Sequence, residues 1–229
     1  MYPVLTEEQA QFRDVVARFL ADNADTSRLR RQIESDVGYE QDVWRRLCAE
    51  LGLAGTHIPE AYGGHGFGSV EFGIVMQAMG RFLYSGPFMA SAVMAAYAIL
   101  NSASEQQKSE LLPDIISGSL IAALALDDWS KPAGVGTRVR AEYQADGYLL
   151  DGNAMTFVQA GVPQLIIVAA RTSGDALSFF KVDARANGVE TSSRETIDLT
   201  RRAAGITFDN APAELLGTQG GADIDRLWD

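Results

Sequence analysis

Ile58-Pro59-Glu60-Ala61-Tyr62-Gly63-Gly64-His65-Gly66-Phe67-Gly68 packs four glycines and a proline into eleven residues. Neither a helix interior nor a central strand tolerates such a run, so it reads as a connection, and the patterns on its two sides decide what it connects. On the N-terminal side Val43, Trp44, Leu47 and Leu51 recur at helical spacing and stop at Gly52, a helix end. Further back, Thr6 followed by Gln9 has the form of a capping box, and Phe12, Val15, Val16, Phe19 and Leu20 form one apolar stripe behind it. On the C-terminal side Ser69 is predicted to cap a helix reaching about Tyr84, followed by a second helix around Met89 to Leu100. Both are apolar nearly all round, as expected of helices covered on several sides. Ser104 and Gln107 offer another capping box ahead of Leu111 and Leu112.

Near Leu120 the texture changes. Leu120 to Leu126 is a short apolar run, Thr137 to Tyr143 alternates, and Ala145-Asp146-Gly147 is a turn leading into Tyr148-Leu149-Leu150. Gln164 to Ala170, Leu177 to Val182 and Gly205 to Phe208 add three more strand candidates, so this half is expected to be a β sandwich or barrel. The predicted fold class is therefore α+β, with an N-terminal helical domain over 1–119 and a β domain over 120–217. Ala222 to Asp229 reads as the opening of another helix, so 218–229 is taken as the start of a C-terminal helical domain that is absent or truncated.

Composition narrows the function classes. With 229 residues, 47% hydrophobic and 21% charged, the chain is no collagen, low-complexity polymer or disordered tail. Lys+Arg 19 against Asp+Glu 30 gives −11, which disfavours nucleic-acid phosphate and anionic lipid as general partners. Cys48 is the single cysteine, so no intrachain disulfide forms and a reducing, cytoplasmic location is expected. His57 and His65 have no second cysteine near them, and no metal site is expected. Glu7 and Glu8 stand where a signal peptide needs basic and apolar residues. The uncharged stretch from Ser85 to Ser104 holds Gly86, Pro87 and Asn101, which suits a buried helix better than a membrane span.

The residues that carry chemistry are sparse. Asp127 and Asp128 are strand neighbours and point to opposite faces, which spoils them as an acid and base acting together. The glycines at 63–68 follow no strand and match neither the dinucleotide fingerprint nor a P-loop. Nothing nearby in sequence orients His57 or His65, so turn or surface roles are expected of them. Cys48 reads as a packed thiol, and Trp44 and Trp129 as core or interface residues. Between Lys131 and Arg202 nine basic residues face eight acidic ones, while the rest of the chain carries 10 and 22, so an anionic ligand would sooner sit on the β half. Arg138 and Arg140 share a strand face and Arg201 adjoins Arg202. Phosphate contact and solvated surface are both open to them.

The order of elements and several local segments resemble the acyl-CoA dehydrogenase family. Ile58-Pro59-Glu60-Ala61-Tyr62-Gly63-Gly64 resembles the family's turn between early helices. Glu105-Gln106-Gln107-Lys108 with Leu111-Leu112-Pro113 resembles the segment before its β domain, and Ile206-Thr207-Phe208-Asp209-Asn210 with Leu216-Gly217 the strand that closes that domain. The resemblance covers essentially the whole chain. It implies oxidation of an acyl-CoA thioester to the 2,3-enoyl thioester, in which a glutamate removes the α-proton and the β-hydrogen passes as hydride to FAD. The family's glutamate lies in the C-terminal helical domain, beyond Asp229, so the resemblance implies no catalytic residue in this chain.

The flavin wall departs from the family pattern. Where the family has Thr-Glu-Pro-x-Ala-Gly-Ser-Asp, alignment on Tyr148 and Gly152 places Leu126 to Ala133, so the Thr and Ser hydroxyls become Leu126 and Pro132. The family's Trp-Ile-Thr falls on Thr156-Phe157-Val158, so the ring at Thr156 and the hydroxyl at Val158 are absent too. The four losses together are worth about 4 kcal/mol, roughly a thousandfold in flavin affinity. Asp198-Leu199-Thr200-Arg201-Arg202 resembles a variant seen in divergent members. Three functions are thus implied by the resemblance. One is an FAD-dependent acyl-CoA dehydrogenase working as a subunit of a homo- or hetero-oligomer. Another is a supporting subunit of a heteromeric acyl-CoA dehydrogenase, as in bacteria that degrade sterol side chains. The third is a flavoprotein oxidase or monooxygenase of the same fold. The acyl group would come from fatty acid or sterol side-chain degradation.

Overall fold

The computed structural model describes residues 5–126, 137–144, 147–157 and 163–222. Helices come first: α1 (Glu7–Asn23), α2 (Thr26–Glu34), α3 (Gln41–Leu51), α4 (Ser69–Arg81), a π-helical segment Phe88–Ala95 that runs on into α5 (Ala96–Ser102), and α6 (Glu105–Ser117). Among the described residues seven strands follow: β1 (Ala122–Leu126), β2 (Arg140–Gln144), β3 (Gly147–Phe157), β4 (Leu165–Arg171), β5 (Leu177–Asp183), β6 (Val189–Arg194) and β7 (Ala203–Leu216). This is the α+β order expected from the sequence. The expected helix after Ala222 falls on residues 223–229, outside the described residues.

Local chemistry explains most helix ends. The Thr6 hydroxyl accepts from the Gln9 amide at 3.2 Å while Gln9 Oε1 accepts from the Thr6 amide at 3.0 Å, so both halves of the first capping box form. Gly52 ends α3 at φ +62, a conformation glycine adopts without strain. Ser69 is not a cap: it is the first helical residue, Gly68 holds the cap position, and Glu71 accepts from the Gly68 amide at 3.2 Å. α4 also stops short of Tyr84, because the chain leaves the helix at Phe82 and Leu83 takes φ +49. Two elements carry too weak a pattern to be foreseen. α2 buries only Leu29, and β6 is exposed along nearly all its length.

The strand pairings run β1 to β3, β3 to β7, β7 to β5, β5 to β4 and β4 back to β1, which closes the sheet into a barrel. β2 bridges β3 and β4, and β6 lines the outer edge of β7. Of the two expected architectures, sandwich or barrel, the barrel forms. Ile166, Val168 and Ala170 of β4 pack with Leu150, Phe180 and Phe208, while Ile167 and Ala169 pack with Ile99, Leu112 and Ile115 from α5 and α6. The strand is buried on both faces, which is why it reads as an unbroken apolar run. Leu124 and Leu126 of β1 join that second cluster, so helices and barrel share one core.

Side-chain hydrogen bonds tie the glycine-rich turn to α6, and α6 in turn to the barrel. Tyr62 from the glycine-rich turn donates its hydroxyl to Glu105 at 2.7 Å, and Lys108 and Tyr62 together hold the Glu105 carboxyl below its usual pKa. Gln107, besides capping α6, donates Nε2 to the Leu215 carbonyl and accepts from the Gly217 amide, both at 2.9 Å. Gln107→Ala removes a cap and both ties to β7, and a loss of about 2 kcal/mol is expected in urea unfolding. A change under 0.5 kcal/mol would show that solvent replaces these bonds at no cost.

Candidate functional site

β1 ends at Leu126, and register sets Ala125 opposite Thr156 of β3. Leu126 is 8% exposed and packs in the core shared with α5 and α6, so its side chain is committed to the protein interior. Thr156 is 1% exposed and donates its hydroxyl to the Leu124 carbonyl at 2.8 Å. Neither position offers a free hydrogen-bond donor, and these two do not fit the role of flavin contacts. Pro132 and Val158, the other two expected wall positions, lie outside the described residues, as do Asp127, Asp128 and Trp129.

A second feature lies between helices and barrel. A cavity of about 270 Å³ opens between the end of α4, the turn after it and the β6–β7 loop. Met76, Met79, Leu83, Phe88 and Met89 make its apolar side, while Thr200 and Arg201 stand at its rim. Arg201 pairs with Asp198 at 3.5 Å, and both are exposed. Methionines adapt their shape to a ligand, so the lining suits a bulky apolar group.

Arg202 holds the loop in place. Its guanidinium donates to the carbonyls of Asp36 at 2.6 Å, Ile33 at 3.2 Å and Gln32 at 3.4 Å, and to Ser35 as well. These carbonyls are the C-terminal end of α2 and the turn after it, where a cation is favoured by the helix dipole. Neither role left open for Arg202 in the sequence, phosphate contact or solvated surface, is the one it takes. No sequence signal could have revealed the clasp, because its partners stand 166 to 170 residues away.

The remaining candidates do not converge. His57 stacks on Tyr97 with ring centroids 4.6 Å apart and meets Phe72 edge-on. Both its ring nitrogens are buried without a partner among the described residues. Burial pushes its pKa down to about 4, so the ring is neutral at pH 7. His65 stacks on Phe67, and its Nε2 would lie 2.2 Å from a Cβ at Gly52, so it serves the turn. Burial pushes the Cys48 thiol up to about 12, which leaves it a packed, unreactive thiol as expected. Among the described residues no group of three or more His, Cys, Asp or Glu is placed to hold a metal ion. No described helix is long and apolar enough to cross a membrane.

Comparison with known proteins places these features in context. Residues 6–119 match the acyl-CoA dehydrogenase N-terminal domain. Acyl-CoA dehydrogenase IpdE2 of Mycobacterium tuberculosis is 36% identical over 121 residues, which cover 53% of this chain and 37% of that protein. Mitochondrial isovaleryl-CoA dehydrogenase of Bos taurus is 30% identical over 178 residues, covering 76% of this chain and 41% of that protein. The chain thus spans about two fifths of the length of these curated relatives, 37% and 41%. Among solved structures, a Tcur3481–Tcur3483 steroid ACAD variant superposes with a TM-score of 0.81 at 27% identity, covering 96% of this chain and 60% of that one.

Proposed function

Because the chain belongs to the acyl-CoA dehydrogenase family, we propose that it supplies the helical and barrel domains of one subunit in a hetero-oligomeric acyl-CoA dehydrogenase whose FAD is held by a partner subunit. The observation that carries this reading is the pair Leu126 and Thr156, one side chain spent on the shared core and the other on the Leu124 carbonyl. The chain's own part is then structural: Leu126 is spent on the core that joins helices and barrel, and the helices support the acyl group. Domains at 1–119, 120–217 and 218–229 belong to the same reading. The acyl group is proposed to be steroid-derived, in line with the steroid ACAD that shares the fold and with the methionine-rich lining of the interdomain cavity.

The 30% identity to isovaleryl-CoA dehydrogenase favours a second reading, an FAD-dependent dehydrogenase in which other groups replace the lost wall contacts. Flavin absorbance separates the two. The purified chain titrated with FAD is expected to retain none after gel filtration, and to yield a flavin-bearing complex only when co-expressed with a homologue that keeps the wall hydroxyls. Leu126→Thr is expected to leave FAD retention unchanged, because the side chain at this position packs in the core shared with α5 and α6. Stoichiometric FAD on the chain alone would return the function to the plain dehydrogenase.

A further inference from the structure

Strand β6 stands at the end of the strand order and pairs on one side only, with β7. The register sets Val189 opposite Phe208 and Arg194 opposite Ala203, and one position earlier the Asp209 amide donates to the Gly188 carbonyl at 2.8 Å. Backbone groups alternate in direction along an antiparallel ladder, so Gly188, Glu190, Ser192 and Arg194 turn theirs to β7 while Val189, Thr191 and Ser193 turn theirs away. The Val189 amide is taken by the Ala186 carbonyl at 3.2 Å. The outward amides and carbonyls of Thr191 and Ser193 have no partner among the described residues, and both residues are exposed.

A free strand edge is a template for another strand, and proteins that guard such an edge place a proline, a bulge or repelling charges along it. β6 carries none of these. Its sequence is Val-Glu-Thr-Ser-Ser-Arg, its register with β7 is unbroken, and its two charges are of opposite sign. Glu190 and Arg194 lie on one strand face, about 13 Å apart along the strand and so out of each other's reach. Neither forms an ion pair among the described residues, and Arg194 lies exposed over Gly205 of β7.

Two copies of this edge set antiparallel satisfy both features in a single register. With a two-fold axis between the two Ser192 residues, Thr191 of each copy faces Ser193 of the other, and their free amides and carbonyls exchange four hydrogen bonds. The same register puts Glu190 of each copy opposite Arg194 of the other, in the closely spaced non-hydrogen-bonded pair. A slip of two residues keeps the hydrogen bonds but parts the charges. We propose that the edge of β6 docks a second copy of this chain, joining two barrels edge to edge about Ser192. Identical patches meeting across a two-fold axis close as a dimer. The contact is independent of how the flavin is held.

Sedimentation equilibrium of the full chain is expected to show a monomer–dimer equilibrium with a Kd of about 100 µM or below. Glu190→Arg sets arginine opposite arginine, and Arg194→Glu sets glutamate opposite glutamate, so each is expected to weaken the dimer at least about tenfold. The double variant Glu190→Arg with Arg194→Glu exchanges the signs and is expected to restore the affinity to within about threefold. Both side chains are exposed, and unchanged far-ultraviolet dichroism verifies that the variants fold. Ser192→Cys reads the register, because Cα atoms about 4.5 Å apart across the axis allow a disulfide between copies when oxidised glutathione is added. Glu190→Cys, more than about 13 Å from its counterpart in that register, is expected to stay unlinked. The native thiol, Cys48, is buried and does not compete. A chain monomeric up to about 500 µM, a dimer indifferent to either single reversal, a double variant no tighter than the single ones, or equal cross-linking at positions 190 and 192 would each overturn the inference.

Discussion

Arg202→Ala is expected to lower the unfolding free energy by about 3 kcal/mol, and to loosen α2 more than any other helix. Four backbone carbonyls of residues 32–36 lose their charged donor. A hydrogen bond to a charged group contributes about 1.5 to 3 kcal/mol, but two of the four carbonyls reach solvent and find water, so the sum falls well below four full bonds. α2 depends on this clasp because a helix of nine residues is marginal by itself. Its other end is already capped, with Asp25 accepting from the amides of Ser27 at 2.8 Å and Arg28 at 3.0 Å. Arg202→Lys keeps the charge near the helix end but cannot reach several carbonyls at once, so it should restore about a third of the loss. Urea unfolding gives the magnitude, and amide exchange of residues 26–34 reports the location. A loss under 1 kcal/mol, or exchange that rises equally in all helices, would refute the clasp.

His57 should give the chain a pH dependence of similar size. Its folded pKa of about 4 lies below the unfolded value of 6.5. As pH falls, the unfolded chain therefore takes up the proton first, so stability is full above pH 6.5 and drains away as pH drops toward 4. A shift of that size amounts to about 3 kcal/mol. Several carboxyls, among them Asp25, Glu71 and Glu105, are held below their usual values by hydrogen bonds and act in the same direction. They titrate lower, beneath about pH 4.5. His57→Phe keeps the stack on Tyr97 and removes the titration. Unfolding free energies from urea titrations at pH 7.5 and pH 4.5 should therefore differ by about 2 to 3 kcal/mol less in His57→Phe than in the unmodified chain. Equal pH dependence in the two proteins would mean that water reaches the imidazole nitrogens.

Several elements were legible because the forces that make them act within a few residues. The Thr6–Gln9 and Ser104–Gln107 boxes, the stripe of α3 and its glycine stop, and the apolar run of β1 are each written in one stretch of chain. α2 and β6 escaped because they bury almost nothing, so neither imposes a hydrophobic period on its sequence. The candidate site was legible only as substitutions at aligned positions. That Leu126 would enter the helix–barrel core, and that Thr156 would spend its hydroxyl on Leu124, depends on strand pairing that no local pattern encodes.

The sequence by itself determined the change from helices to strands near residue 120, the neutral packed state of Cys48 and the departure from the family's flavin pattern, since each follows from residue type and short-range spacing. Tertiary structure alone decided the rest. Barrel closure set Arg140 beside Arg171, and the fold carried Arg202 to the end of α2. It also buried both nitrogens of His57 between two rings. In each case the deciding energy is an electrostatic or desolvation term between groups far apart in the chain. Such a term has no value until folding fixes their distance and removes the water between them.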